Sequence, residues 1–162
     1  MSRRSVQAVL AAGALTVLII ALAVPVGVSA QGNDTLLGTW VLERGKSTFS
    51  GAVPEKRMMT FEKVEGGIRH TTTTLQGEVT YRLQYVFQFD GKDYPADVQM
   101  PVSTVSFKRI DANKAERSGK YQGEVVETVT YQVSAGGKVM TATQKGLIGG
   151  VEVTSTQVFN RQ

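Results

Sequence analysis

The chain carries one imidazole and no thiol, and those two counts remove much of the chemistry a protein can do. Thiol nucleophiles and thiolate metal sites are excluded, and a single His cannot supply the usual zinc ligand sets. The imidazole, His70, lies in Arg69-His70-Thr71-Thr72-Thr73-Thr74. A Ser-His-Asp triad could use it, but there is no Gly-x-Ser-x-Gly elbow to display a serine. A lone His in such a run reads as a surface or lining residue of a strand. Asp90, Asp93 and Asp97 could hold Ca2+ through oxygen. Their spacing fits no calcium loop, and Asp90-Gly91 reads as turn chemistry. Glu62 with Glu65, or Glu124 with Glu127, could form carboxylate pairs; on a sheet they read as solvated side chains. The basic residues Lys56-Arg57, Lys108-Arg109, Lys114 and Arg117 are dispersed. Nucleic-acid barrels interleave aromatic platforms with such residues, and only Phe107 beside Lys108-Arg109 hints at that. The residues therefore point to no enzyme, no metal or other cofactor, and no nucleic-acid partner.

What remains is a concentration of aromatic side chains. In Val79–Phe89 the residues Tyr81, Leu83, Tyr85, Phe87 and Phe89 fall on one face, and Thr80, Arg82, Gln84, Val86 and Gln88 on the other. Successive side chains of a strand point to opposite faces, so the first set is expected to face inward. With Phe107, Tyr131 and Met140 from other strands, Tyr81, Leu83, Tyr85 and Phe87 would line an apolar cavity. The tyrosine hydroxyls would orient a ligand there. The alternative is an ordinary packed core stripe.

The elements that must position these residues are strands. From Leu37 onward the pattern has period two, broken by Glu65-Gly66-Gly67, Gln76-Gly77, Asp90-Gly91, Gln122-Gly123, Gly136-Gly137 and Gly149-Gly150. Such pairs supply the positive φ of tight hairpins. Nine strands are expected, with a tenth through 94–98. Short loops make consecutive strands antiparallel neighbours, and a meander of this length disposes of its edges by closing. The fold class is therefore all-β, an antiparallel up-and-down barrel of about eight to ten strands. In the last three strands Thr128, Thr130, Thr141, Thr143, Thr154 and Thr156 recur at thirteen-residue spacing. Thr130 is expected opposite Thr141, and Thr143 opposite Thr154, as a ladder on the outer face.

The first thirty residues stand apart. Arg3 and Arg4 precede an uncharged, apolar run from Val6 to Val28, broken by Pro25 and ending in Val28-Ser29-Ala30. This is the pattern of a signal peptide cleaved before Gln31, with a retained membrane anchor as the alternative. The expected organisation is a signal peptide over 1–30, a flexible tail over 31–36 and a barrel domain over 37–162. The product would be exported, periplasmic or extracellular, with no membrane attachment after cleavage. Removing Arg3 and Arg4 leaves sixteen basic residues against fourteen acidic ones, so the basic balance of the whole chain is partly a leader effect. A domain of this size buries roughly two thirds of its unfolded surface and can be stable without disulfides.

Gly38-Thr39-Trp40 opens the first strand, and Arg161 follows the last. This arrangement resembles the lipocalins and the wider calycin group. There Gly-x-Trp starts strand one, the indole crosses the barrel floor, and a basic residue at the chain end lies over it. Lys46-Ser47-Thr48-Phe49 and Asp90-Gly91-Lys92-Asp93-Tyr94-Pro95 extend the likeness to bacterial exported lipocalin-like proteins. The resemblance implies a structural signature at Gly38, Trp40 and Arg161 and a small hydrophobic ligand of the lipid or fatty-acid class inside the barrel. A local likeness to the avidins stops at chemistry, since those proteins enclose biotin with several Trp side chains and Trp40 is alone here. The competing expectation is a barrel filled solid, serving as a structural or protein-interaction module.

Overall fold

The computed structural model describes residues 34–96, 102–148 and 150–162. The leader expected over 1–30 lies outside them. Ten strands follow in chain order: β1 Gly38–Leu42, β2 Lys56–Val64, β3 Gly67–Gln76, β4 Val79–Phe87, β5 Tyr94–Pro95, β6 Thr104–Asp111, β7 Lys114–Tyr121, β8 Glu124–Val133, β9 Val139–Ile148 and β10 Val151–Arg161. One 3-10 turn, Arg44–Lys46, interrupts the β1–β2 connection. All ladders are antiparallel, and the strand order is β4-β3-β2-β1-β10-β9-β8-β7-β6-β5. The meander has thus rolled up so that its first and last long strands pair, with Trp40 opposite Arg161 and Leu42 opposite Phe159.

Gly38, Trp40 and Arg161 interlock at one end. Trp40 is fully buried and its indole N–H donates to the Leu36 carbonyl at 2.8 Å. The Arg161 guanidinium lies 4.2 Å from the indole centre. It donates to the carbonyls of Thr35, Leu37 and Gly137. Gly38 has φ +125°, and a Cβ there would come within 2.5 Å of the guanidinium. The glycine of the signature therefore makes room for the cation that covers the tryptophan. The tail expected to be loose is held over its described part: Leu36 is buried, and Asp34 pairs with Arg109.

Closure is not complete, contrary to the expectation of a barrel without edges. β4 and β5 are both ends of the ladder order, which leaves a seam between β4 and the β5–β6 pair. Side chains bridge it. The Phe87 and Phe107 rings stack with centroids 3.6 Å apart, and Phe89 packs edge-on to Phe107 at 6.1 Å. Near the floor the Gly91 N–H also donates to the Phe107 carbonyl at 3.0 Å.

The outer threonine ladder exists, but two residues away from the expected register. Thr130 opposes Thr143, and Thr143 opposes Thr156. The β8–β9 connection turns around Ser134–Gly137, where the Gly137 N–H donates to the Ser134 carbonyl, and Ile148 pairs with Val151 across the next hairpin. Both turns are centred one residue later than pairing Thr130 with Thr141 and Thr143 with Thr154 requires. A slip of two keeps every side chain on its face, so the threonines stay outside while Val129, Tyr131, Met140, Ala142 and Phe159 are buried.

Phe87 has no solvent exposure and closes the seam by stacking. Phe87→Ala is therefore expected to lower the unfolding free energy by about 3–5 kcal/mol, the range for a solidly packed aromatic. Urea titration measures this. A loss below about 1 kcal/mol would mean that the ring borders empty space instead.

Candidate ligand-binding cavity

The barrel interior is layered, and the layers follow from which residue types occupy the inward positions. At the end closed by Trp40 these are Phe61, Phe87, Phe107, Phe159, Met140 and Val133, all fully buried. They fill the floor. Toward the opposite end the inward positions become small: Thr72 and Thr74 on β3, Gly119 on β7, Ala142 and Gly146 on β9 and Ser155 on β10. Ten strands enclose more space than such side chains can occupy. A cavity of about 360 Å³ results, within the range of small-molecule sites. A second hollow of about 420 Å³ lies beneath Phe49–Ala52 of the β1–β2 connection. Arg57, Glu127, Gln144 and Gln157 line both. The barrel is thus packed solid in its floor and hollow above it.

Of the seven residues expected to line a cavity, Tyr81, Leu83, Tyr85 and Tyr131 do so. Phe87, Phe107 and Met140 do not; they belong to the floor. The four residues of the stripe that lie on β4 keep a single face, but exposure rises along them, from none at Phe87 to 50% at Tyr81 beside the open end. The structural signature Gly38, Trp40 and Arg161 lies on the floor side, away from the cavity lining.

Between floor and mouth runs a polar girdle that sequence reasoning missed. Glu127, expected in solvent, points inward. It accepts from the Arg117 guanidinium and from the Gln144 amide, the latter at 2.6 Å. Its strand neighbours are Gly119 on one side and Gly146 on the other. A Cβ on Gly119 would lie 2.7 Å from the Glu127 side chain, and one on Gly146 would lie 3.3 Å from its Cβ. Two glycines thus hold open the slot for a buried carboxylate. On the other wall Arg57 donates to Thr74 at 3.0 Å and to Gln157 at 2.7 Å. Both partners are neutral, and among the described residues no carboxylate pairs with Arg57. Burial pulls the Arg57 pKa down from its ordinary value, yet a guanidinium keeps its proton in a protein. Arg57 is therefore a cation turned toward the cavity without a balancing charge.

His70 is 2% exposed and sits between Phe61 and Tyr85, with ring centroids at 4.4 and 5.0 Å. Its Nε2 contacts the Thr72 hydroxyl at 2.7 Å. Burial, and after it the charge of Arg117, lowers its pKa to about 3, so the ring is neutral at physiological pH. Burial pushes the Tyr85 and Tyr131 phenols up, so both remain neutral hydroxyls. Such a lining can grip, orient and desolvate a small molecule. The acidic group near β5 is used in structure: Asp90 accepts from the Lys92 N–H and the Tyr94 hydroxyl, and Asp93 pairs with Lys120. Asp97 lies outside the described residues.

No family model matches the chain, and no curated protein sequence does. Among solved structures, two mutants of the fluorescent protein UnaG are similar to it, at 13% and 15% sequence identity. Each comparison has a TM-score of 0.51 and covers 79% of this chain and 96% of the other. The likeness is one of fold, an antiparallel up-and-down β-barrel. The cavity lies in the interior of that barrel.

The neutral His70 gives a signed pH dependence. Its pKa is about 3 in the folded protein and near 6.5 in the unfolded chain. As pH falls below 6.5, only the unfolded state takes up the proton, so stability falls. Between neutrality and about pH 5 this residue should remove about 2 kcal/mol of unfolding free energy. Urea titrations at both pH values on the protein and on His70→Gln measure it as a difference. An equal pH response in the two proteins would show that His70 titrates normally.

Proposed function

We propose that this chain is a binding protein, not an enzyme, and that its barrel takes a small amphipathic molecule with an apolar body and an anionic head. The lipid or fatty-acid class fits best. The observation that carries this reading is Arg57, a cation facing the cavity with only Thr74 and Gln157 as hydrogen-bond partners. A carboxylate would supply the missing charge and accept from the guanidinium. Met59, Leu83, Val129 and Ala142 supply apolar wall for the rest of the molecule. The hollow above the floor favours this over a solid structural module.

We further propose that the protein acts after export, in the periplasm or outside the cell, once the segment ending in Val28-Ser29-Ala30 has been removed. Binding and carriage of a poorly soluble acid suits that location. N-terminal sequencing of exported material should begin at Gln31; an intact Met1 on membrane-bound protein would refute cleavage.

The binding test separates head from body. Arg57→Gln is expected to weaken a fatty acid such as myristate by about ten- to a hundredfold, the worth of a charged hydrogen bond. Affinity for the corresponding alcohol should barely change. Titration calorimetry reads both. Equal losses for acid and alcohol would mean that Arg57 shapes the wall rather than recognising charge, and no binding of either would reject the reading itself.

A further inference from the structure

Two buried polar atoms in the molecule have no hydrogen-bond partner among the described residues: Nδ1 of His70 and Nε of Arg117. Both residues are more than nine-tenths buried, at 2% and 7% exposure, and both line the same cavity. The Arg117 charge is felt at the His70 ring. Everything else about the two side chains is fixed. The imidazole is held between Phe61 and Tyr85 with Nε2 engaged by Thr72, and the far end of the guanidinium is engaged by Glu127. Buried polar groups in folded proteins are nearly always satisfied, and each exception asks for its partner.

The chemistry of the two atoms narrows what that partner is. The Arg117 Nε–H only donates, so the partner must accept. If Nε2–H of His70 donates to Thr72, Nδ1 accepts and the partner must also donate. If Thr72 donates to Nε2, Nδ1–H donates and the partner accepts twice. A carbonyl oxygen satisfies only the second case. A hydroxyl satisfies both, because its oxygen accepts from Arg117 while its hydrogen is free to turn to Nδ1.

Building on the reading of Arg57 as the head-group residue, we propose that the ligand carries a hydroxyl on its apolar body, held between His70 Nδ1 and Arg117 Nε. The ligand class is then a hydroxylated amphiphilic acid rather than a plain fatty acid. A plain alkyl chain filling this chamber would strand both polar atoms against hydrocarbon. A site built to hydrogen-bond a hydroxyl discriminates strongly against the analogue that lacks it.

The test compares myristate with a series of hydroxymyristates bearing the hydroxyl at successive mid-chain carbons. One isomer should bind about tenfold more tightly than myristate or better, by the worth of the hydrogen bonds gained. His70→Phe should abolish that preference, bringing the favoured isomer and myristate to the same affinity. His70 is the only His of the chain, so its ring nitrogens give unambiguous NMR signals in the unmodified protein. The favoured isomer should shift the Nδ1 resonance and myristate should not, which keeps the test decisive even if the variant fails to fold. Equal affinities across the series with an unmoved imidazole signal would overturn the hydroxyl assignment and leave the barrel a binder of plain acids, its two polar atoms served by water. Failure of every probe to bind would instead overturn the reading of Arg57, and this one with it.

Discussion

The carbonyls of Thr35, Leu37 and Gly137 and the only indole of the chain converge on one guanidinium, that of Arg161. Two of those carbonyls lead into β1, the third lies in the β8–β9 turn, and Arg161 ends β10. One side chain therefore ties both ends of the meander to the same point. Cation–aromatic contact of this kind is worth up to about 2 kcal/mol when desolvated, and the hydrogen bonds add to it. Once β10 is held beside β1, the sheet curls and its two faces become an inside and an outside. The parity of each residue then decides its environment.

Curling alone does not decide whether the inside is filled. In this chain the decision is made by side-chain size along the barrel axis. Six large residues, Trp40, Phe61, Phe87, Phe107, Met140 and Phe159, crowd the end that Arg161 covers. Beyond them Gly119, Ala142, Gly146 and Ser155 take inward positions on β7, β9 and β10. The same aromatic packing that fills the floor also stands in for the missing ladder at the seam, where Phe87 and Phe107 stack across the gap. Stability is concentrated at one end, and the other is left free to be hollow.

The strands, their order and which side chains of the aromatic stripe face inward were legible because they rest on period two and on glycine turns, both local properties. Even the threonine ladder survived an error in register, since parity is unchanged by a slip of two. The girdle was not legible in that way, for a specific reason. Glu127 was assigned to solvent by type rather than by position, Arg57 and Arg117 were read only as dispersed cations, and Gln157 was not singled out. Parity would have placed them inside: Arg57 alternates with Met59 and Phe61, Arg117 with Ala115, Glu127 with Val129 and Tyr131, and Gln157 with Phe159. The glycines opposite Glu127 were a second signal, readable only once the cross-strand register is known. Three of the residues assigned to a cavity wall, Phe87, Phe107 and Met140, went wrong in the opposite sense. Facing inward does not tell floor from cavity, because depth along the barrel depends on strand stagger.

The charges of the girdle do not behave alike, and the difference matters for how folding and binding are joined. Arg117 and Glu127 neutralise one another within the wall. A pair of this kind, little exposed, is rarely worth more than an apolar replacement, so its use lies in orientation: it holds the guanidinium in place against the wall. Arg57 is different. Folding takes it partly out of water and gives it two neutral partners, which offset only part of the lost hydration. An anion entering the cavity would meet a charge already desolvated and already aimed, so little reorganisation opposes the contact. The same anion would relieve a cost that the unliganded barrel carries. Any ligand that binds the folded chain alone raises its stability in proportion to its affinity. At Arg57 the two quantities share a single side chain, and a substitution that relaxes the empty barrel would also weaken the proposed hold on an acid.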